Sequence, residues 1–291
     1  MRGKVAAALR LTRIEHGLMV SLAVLTGAIV ARGGLRSGDL AAVAVGMLVG
    51  LLVEMGVFGL NDYFNVEEDR VNAPDRPLVR GDISKSEALA LSLAAVALGL
   101  ALPWYPVRLP VESTALLYLV VALDLAYNAL LKRYGPLGNV AVALSTAAPF
   151  AYGALIVAPW REVPLRLWAF SLIAFLAALS REIVKDVIDM PGDLAAGIRT
   201  LPHMLGPRAS CKAAACIMAC AMLASVVVTP LAENWAAYLA AVSLTNLVLA
   251  HSLSALREGG GIPSRSSLER FRRESLAGMA LGIVAFLSSS L

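Results

Sequence analysis

The chain has 291 residues, of which 58% belong to the hydrophobic set and 16% are charged, against roughly 25% charged in an average soluble domain. That balance excludes an ordinary water-soluble globule. The net charge of +4, with no DNA- or RNA-reading motif in the chain, gives no reason to expect a nucleic acid partner.

In chain order, a basic segment holding Arg2, Lys4, Arg10 and Arg13 precedes a first apolar run from Gly17 to Ala31. No small-x-small cleavage site follows it, so it reads as an uncleaved anchor. Further runs extend over Leu40 to Leu60, Ala88 to Leu102, Thr114 to Leu131, Leu137 to Val157, Leu167 to Ala178 and onward, Ala213 to Val228, Trp235 to Leu256 and Leu276 to Leu287. A helix needs about 20 residues to cross a bilayer, and only helices and closed barrels satisfy every backbone group in lipid. The ten-residue alternation of a barrel is absent. The expected fold is therefore all-α: nine transmembrane helices around a central cavity, capped by loops on one side. We read residues 1–291 as one domain, with four-helix halves over about 10–135 and 136–256 and a ninth helix added.

With the N-terminus placed in the cytosol, 20 of the 25 Lys and Arg residues fall on the inner side, the direction the positive-inside rule demands. The expected location is a cell membrane, with basic loops against anionic lipid head groups. Trp104, Trp160, Trp168 and Trp235 sit near the outer ends of spans, as interfacial anchors do. Cys211, Cys216 and Cys220 have no zinc or redox spacing and read as buried apolar thiols.

The inner loops also gather acidic residues. After the second span comes Asn61-Asp62-Tyr63-Phe64-Asn65-Val66-Glu67-Glu68-Asp69. If the helix runs on past Leu60, Asn61, Asn65 and Asp69 share one face. After the sixth span comes Arg181-Glu182-Ile183-Val184-Lys185-Asp186-Val187-Ile188-Asp189-Met190-Pro191-Gly192-Asp193. Here Glu182, Asp186 and Asp189 share a face, and Pro191 with Gly192 is expected to end the helix and leave Asp193 in a loop. Both helices run inward, so the two clusters lie at one depth. Carboxylates alone repel a diphosphate, whereas Mg²⁺ held by one or two of them, at about 2.0–2.1 Å, leaves positions for phosphate oxygens. A metal-bridged diphosphate fits that pattern, with neighbouring Lys and Arg as preorganised positive charge.

These residues resemble the UbiA-type intramembrane prenyltransferases. Asn61, Asp62 and Asp69 match the family's NDxxDxxxD motif, with Asn65 in place of the middle aspartate and Glu68 or Asp62 available to compensate. Asn72-Ala73-Pro74-Asp75-Arg76-Pro77 and Gly81 are similar to the loop that follows it. Asp189 and Asp193 match the second, DxxxD motif, with Asp186 before them and Ile188 where many members have glutamate. Tyr127 and Lys132 match a Tyr–Lys feature at the inner end of the fourth helix, and Arg133 and Asn139 also fit. The second loop looks most like the archaeal branch that makes digeranylgeranylglyceryl phosphate. The resemblance implies Mg²⁺-dependent transfer of a prenyl group from an isoprenoid diphosphate such as geranylgeranyl diphosphate, through an allylic carbocation. The implied acceptor is a lipid, geranylgeranylglyceryl phosphate, or alternatively an aromatic ring of quinone-type biosynthesis.

On that resemblance Asp62, Asp69, Lys132, Asp186, Asp189 and Asp193 carry the chemistry. Asn61, Asn65, Asp69, Asp186, Asp189 and Asp193 hold metal. Arg13, Glu54, Asn61, Asn65, Glu68, Tyr127, Arg133, Asn139, Arg181 and Lys185 contact substrate. A phosphate-bearing acceptor calls for extra cations, for which Arg13, Arg181, Lys185 and Arg199 are the candidates. Glu54 and Asp124 lie within spans, where acids usually face a cavity or partner; both are expected at the central cavity, a neutral hydrogen-bonded structural acid being the alternative. Of the histidines only His203 lies near the motifs. A transporter is the competing class, but its polar site would lie near the bilayer midplane, and no obligate protein partner is evident.

Overall fold

The computed structural model describes residues 2–257 and 262–290. Among them there is no strand, and thirteen α-helices follow in order: α1 (Arg2–Thr12), α2 (Ile14–Arg32), α3 (Leu40–Phe64), α4 (Val66–Asn72), α5 (Pro77–Arg80), α6 (Lys85–Ala101), α7 (Val111–Ala129), α8 (Pro136–Val157), α9 (Leu165–Ala195), α10 (Leu201–Leu205), α11 (Pro207–Val227), α12 (Trp235–Ser254) and α13 (Arg265–Ser288). Eight of them, α2, α3, α6, α7, α8, α9, α11 and α12, are long and apolar enough to cross a membrane. The ninth expected span differs. Its helix, α13, has 24 residues, but the first ten include Arg265, Glu269, Arg270, Arg272, Arg273 and Glu274, and only the remainder is apolar. It lies against α12, α9 and α2.

The acid-bearing ends of α3 and α9 finish at the same end of the bundle, where α1, α4, α5 and α10 form a cap. A small apolar cluster of Ala7, Leu11, Val66, Leu78, Ile83 and Ala88 joins α1 and α4 to the start of α6. Helix α6 begins where Ser84 and Glu87 satisfy each other's backbone N–H groups, a reciprocal cap that spares two orphan donors. At the opposite end Trp104, Trp160 and Trp235 are exposed, and Trp168 leans on Trp160 with ring centroids 4.4 Å apart.

The larger core runs through the bundle and ends in an aromatic stack, Phe170 on Phe286 at 4.3 Å, with Tyr238 and Phe150 beside them. Helices α2 and α8 cross closely. A Cβ on Gly27 would run into the backbone of Phe150, and one on Gly153 into the backbone of Val24. In lipid, where no water drives helices together, such close backbone approach supplies the association energy.

Three local expectations are corrected. Helix α3 does not continue evenly to Asp69: Asn65 leaves helical geometry (φ −101°, ψ 17°) and α4 starts a bent segment, although Asn65 N–H still bonds Asn61 O at 3.0 Å and Asp69 N–H bonds Asn65 O at 2.9 Å. Pro191 and Gly192 do not end α9, which runs to Ala195 with Asp193 inside it. A proline interrupts the backbone ladder, and here the Asn72 side chain mends it, its Nδ2 donating to Asp189 O at 2.9 Å and its Oδ1 accepting from Gly192 N–H at 3.0 Å. The cysteines are not all buried: Cys211 is, but Cys216 and Cys220 are exposed on α11.

Gly153→Val should lower the thermal midpoint of detergent-solubilised protein, since forcing bulk into a filled core costs about 1–3 kcal/mol. Gly38→Ala, where the added atom meets nothing within 4 Å, should leave it in place.

Candidate active site

Helix α3 and the bent α4 bring their acids against arginines. Asp62, buried, accepts from Arg13 Nη2 at 2.8 Å and from Arg76 Nη1 at 2.8 Å. Arg76 Nη1 also donates to Asp69 Oδ2. Arg13 is able to reach because it sits in the left-handed region (φ 45°) between α1 and α2, a conformation uncommon for a residue with a Cβ. Its guanidinium lies over the Phe58 ring at 4.5 Å. Burial pushes the Asp69 carboxyl up to about 6, with Arg76 pulling against it and Asp62 adding to the rise.

The second cluster meets the first at Lys132, on the short turn after α7. Its Nζ donates to Asn65 Oδ1 at 2.9 Å and to Glu68 Oε1 at 3.4 Å, and lies 3.9 Å from Asp193 Oδ1. Oxygens from α3–α4 and from α9 thus surround one cation. Asp189 is half-buried nearby and interacts with Asp193 and Lys185. Asp186 accepts from Asn139 Nδ2 at 2.9 Å. Lys185 donates to Glu182 at 3.0 Å, and Arg181 lies 3.8 Å from the same carboxylate. Among the described residues no three of His, Cys, Asp and Glu converge closely enough to cage a metal by themselves. An oxygen set of amide and carboxylate groups that already surrounds an ammonium suits Mg²⁺, which takes few protein ligands and completes its shell with phosphate and water.

Beneath the acids opens a cavity of about 220 Å³ lined by α2, α3, α7, α8, α9, α12 and α13. Arg13, Arg181 and Arg272 face its polar end and interact with one another. Tyr127, Glu54 and Asp124 all line it, as expected of the two intramembrane acids. Asn61 turns into this cavity and donates to Asn128 Oδ1 at 2.8 Å, while Asn65 turns to Lys132. The bend at Asn65 separates the face that the sequence reading had kept whole. Two buried amide atoms here, Asn128 Nδ2 and Asn139 Oδ1, have no partner among the described residues, where the large majority of buried polar atoms have one.

Two expected contacts do not assemble. Arg133 is exposed on its turn and Arg199 is exposed between α9 and α10, neither lining the cavity. His203 is occupied locally, its Nδ1 accepting from Thr200 N–H at 3.2 Å. Arg272 and Asn128 were missed. Arg272 is one of four arginines in nine residues of α13, and charge alone does not say which of them turns inward. Asn128 does carry a signal, an amide one turn beyond Asp124 in an otherwise apolar helix.

Residues 20–271 match the UbiA prenyltransferase family. The digeranylgeranylglyceryl phosphate synthase of Ignicoccus hospitalis is 36% identical over 98% of this chain and 92% of its own length. That of Archaeoglobus fulgidus is 34% identical over 96% and 94%. A solved structure of a UbiA homolog from Archaeoglobus fulgidus bound to GPP and Mg²⁺ superposes with a TM-score of 0.69 at 21% identity, covering 96% of this chain and 99% of that one; at that identity the likeness speaks for the fold.

Asn72→Ala removes both bonds that mend α9 at Pro191, so Asp193 should lose its fixed position opposite Lys132. Turnover should fall about tenfold or more, the scale on which outer-shell partners of metal ligands act. Steady-state kinetics over a Mg²⁺ titration check it, with the midpoint moving to higher metal.

Proposed function

This chain belongs to the UbiA prenyltransferase family, and we propose that, as an integral multi-pass transferase of prenyl groups, it moves the geranylgeranyl group of geranylgeranyl diphosphate onto the hydroxyl of geranylgeranylglyceryl phosphate in a Mg²⁺-dependent reaction. The relatives that carry the digeranylgeranylglyceryl phosphate synthase name at 36% and 34% identity support the substrate pair. The single observation that carries the site is Lys132, one ammonium reached by oxygens of both acidic clusters. With 20 of 25 basic residues on that side, the site end faces the cytosol.

Asn65, Asp69, Asp186, Asp189 and Asp193, with Asn61 at the cavity edge, are the residues that would hold the metal. Mg²⁺, when bound, neutralises the charge that grows on the diphosphate as its bond to carbon breaks. Lys132 and Lys185 add fixed positive charge around the departing group. Arg13 and Arg76 hold Asp62 and Asp69 in place before substrate arrives. The apolar walls of the cavity exclude water, which would otherwise quench the allylic cation.

Arg13, Arg181 and Arg272 lie apart from Lys132, and they favour a phosphate-bearing acceptor over an aromatic one. An anion set between three guanidiniums gains bidentate, charge-assisted hydrogen bonds. A neutral ring supplies no negative charge to offset the repulsion among the three.

The test is purified protein with Mg²⁺, geranylgeranyl diphosphate and a panel of lipid and aromatic acceptors. Ether-lipid product with the glycerophosphate acceptor is expected, and product only with aromatic acceptors overturns the reading. Asp69→Asn with Asp193→Asn should lower kcat/KM by at least about a hundredfold, and chelation should abolish turnover until Mg²⁺ is restored. Arg272→Gln should raise KM for the phosphate acceptor about tenfold, the equivalent of about 1.4 kcal/mol, with KM for the donor unchanged.

A further inference from the structure

Glu54 and Asp124 are carboxyl groups inside apolar helices, where ionisable side chains are costly and mark functional cavities. Both line the 220 Å³ cavity and also a second space of about 50 Å³ that lies behind them. Glu54 forms no hydrogen bond and no ion pair among the described residues, and its electrostatic partners are Asp124 and Arg13. The second space is also lined by Ser145 and by Tyr152. Tyr152 is 5% exposed, and its hydroxyl has no hydrogen-bond partner among the described residues. The space is otherwise apolar, and the four polar side chains that face it, Glu54, Asp124, Ser145 and Tyr152, are enough partners for an ordered water.

Along α3, Asp62, Phe58 and Glu54 descend one face a turn at a time, about 5.4 Å per turn. Arg13 bonds the first of them and covers the second, so Glu54 is the next group below the three-arginine pocket. An acceptor whose phosphate sits on those arginines and whose chain points into the cavity carries its hydroxyl toward Glu54.

We infer that Glu54 is the proton acceptor of the transfer step, and that water between Asp124, Ser145 and Tyr152 carries the proton onward. The inference rests on the acceptor reading above. In the step, the donor's C1–O bond breaks and its electron pair stays on the diphosphate. The acceptor hydroxyl oxygen forms the new C1–O ether bond, and its proton passes to a Glu54 carboxylate oxygen and then to water. The carboxylate starts the next cycle unchanged, with Arg13, itself bonded to Asp62, as the cation that acts on it.

Glu54→Gln keeps the shape of the side chain and cannot take the proton. With geranylgeranyl diphosphate, geranylgeranylglyceryl phosphate and Mg²⁺, kcat should fall at least about a hundredfold, the usual contribution of a positioned base, with both KM values unchanged. Thermal protection by donor and Mg²⁺ should match wild type, which reports folding and donor binding. An acceptor with a thiol in place of the hydroxyl ionises on its own, with an ordinary pKa of about 8.5, and should restore turnover to the variant. Equal activity of Glu54→Gln and wild type overturns the inference, as does a loss that the thiol acceptor fails to restore. Loss of turnover in His16→Gln, whose imidazole lines the same cavity, with Glu54→Gln unaffected also overturns it. Absence of product from the wild type overturns the acceptor reading and this inference with it; product from the wild type and from Glu54→Gln alike overturns this inference and leaves the acceptor reading standing.

Discussion

Carboxylates from two distant parts of the chain face each other at the mouth of an apolar bundle, and that juxtaposition is tolerable only because cations lie between them. Arg76 joins Asp62 to Asp69, Arg13 holds Asp62 from the other side, and Lys132 joins Asn65 and Glu68 to the neighbourhood of Asp193. A buried charge left without its partner costs several kcal/mol, far more than an intact pair contributes. The site is therefore an interdependent set: Arg13, Arg76 and Lys132 reach Asp62, Asp69 and Glu68 from other segments of the chain, while Glu182 is held by Lys185 of its own helix. The same cations that relieve repulsion are the groups a diphosphate needs.

The bundle supplies the distances. Gly27 and Gly153 let α2 and α8 touch backbone to backbone, which draws one wall of the cavity inward. Helix α9, packed beside α8, has to carry its acids past a proline. It does so because Asn72, at the end of α4, lends one amide to both sides of the break. The first acidic segment thus supports the second mechanically as well as electrostatically, and α4 and α9 cannot move apart without opening the helix at Pro191.

Three kinds of chemistry then stack along one cavity. Apart from Asn61, the oxygen ligands lie with Lys132 outside the cavity at its mouth, while three arginines, the carboxyls of Glu54 and Asp124, and aromatic rings that include Phe150 and Phe286 line the cavity itself. An alkyl transfer to a phosphorylated alcohol has a use for each level: a place to leave charge, a place to hold the acceptor's phosphate, and carboxyl groups below them. Apolar walls serve both reacting species, because a carbocation and an isoprenoid chain each require water to be absent.

Much of this was written in the linear order of residues. Runs of apolar residues declare helices because lipid offers no partner to a backbone amide, and eight of the nine runs lie in helices both long and apolar enough to cross a membrane. The acids after the second and sixth runs were legible as one site, since both helices must point the same way. Glu54 and Asp124 were legible as cavity residues, since charge has nowhere else to go in a membrane. Folding alone decided the rest. Asn65 breaks α3 although the letters allow a continuous helix, Pro191 fails to break α9 because a residue more than a hundred positions earlier repairs it, and Arg272 enters the cavity while Arg133 and Arg199 stay outside. Periodicity and charge are local properties readable along the chain, whereas which side chain meets which across a helix interface is set by tertiary contacts that no single segment encodes.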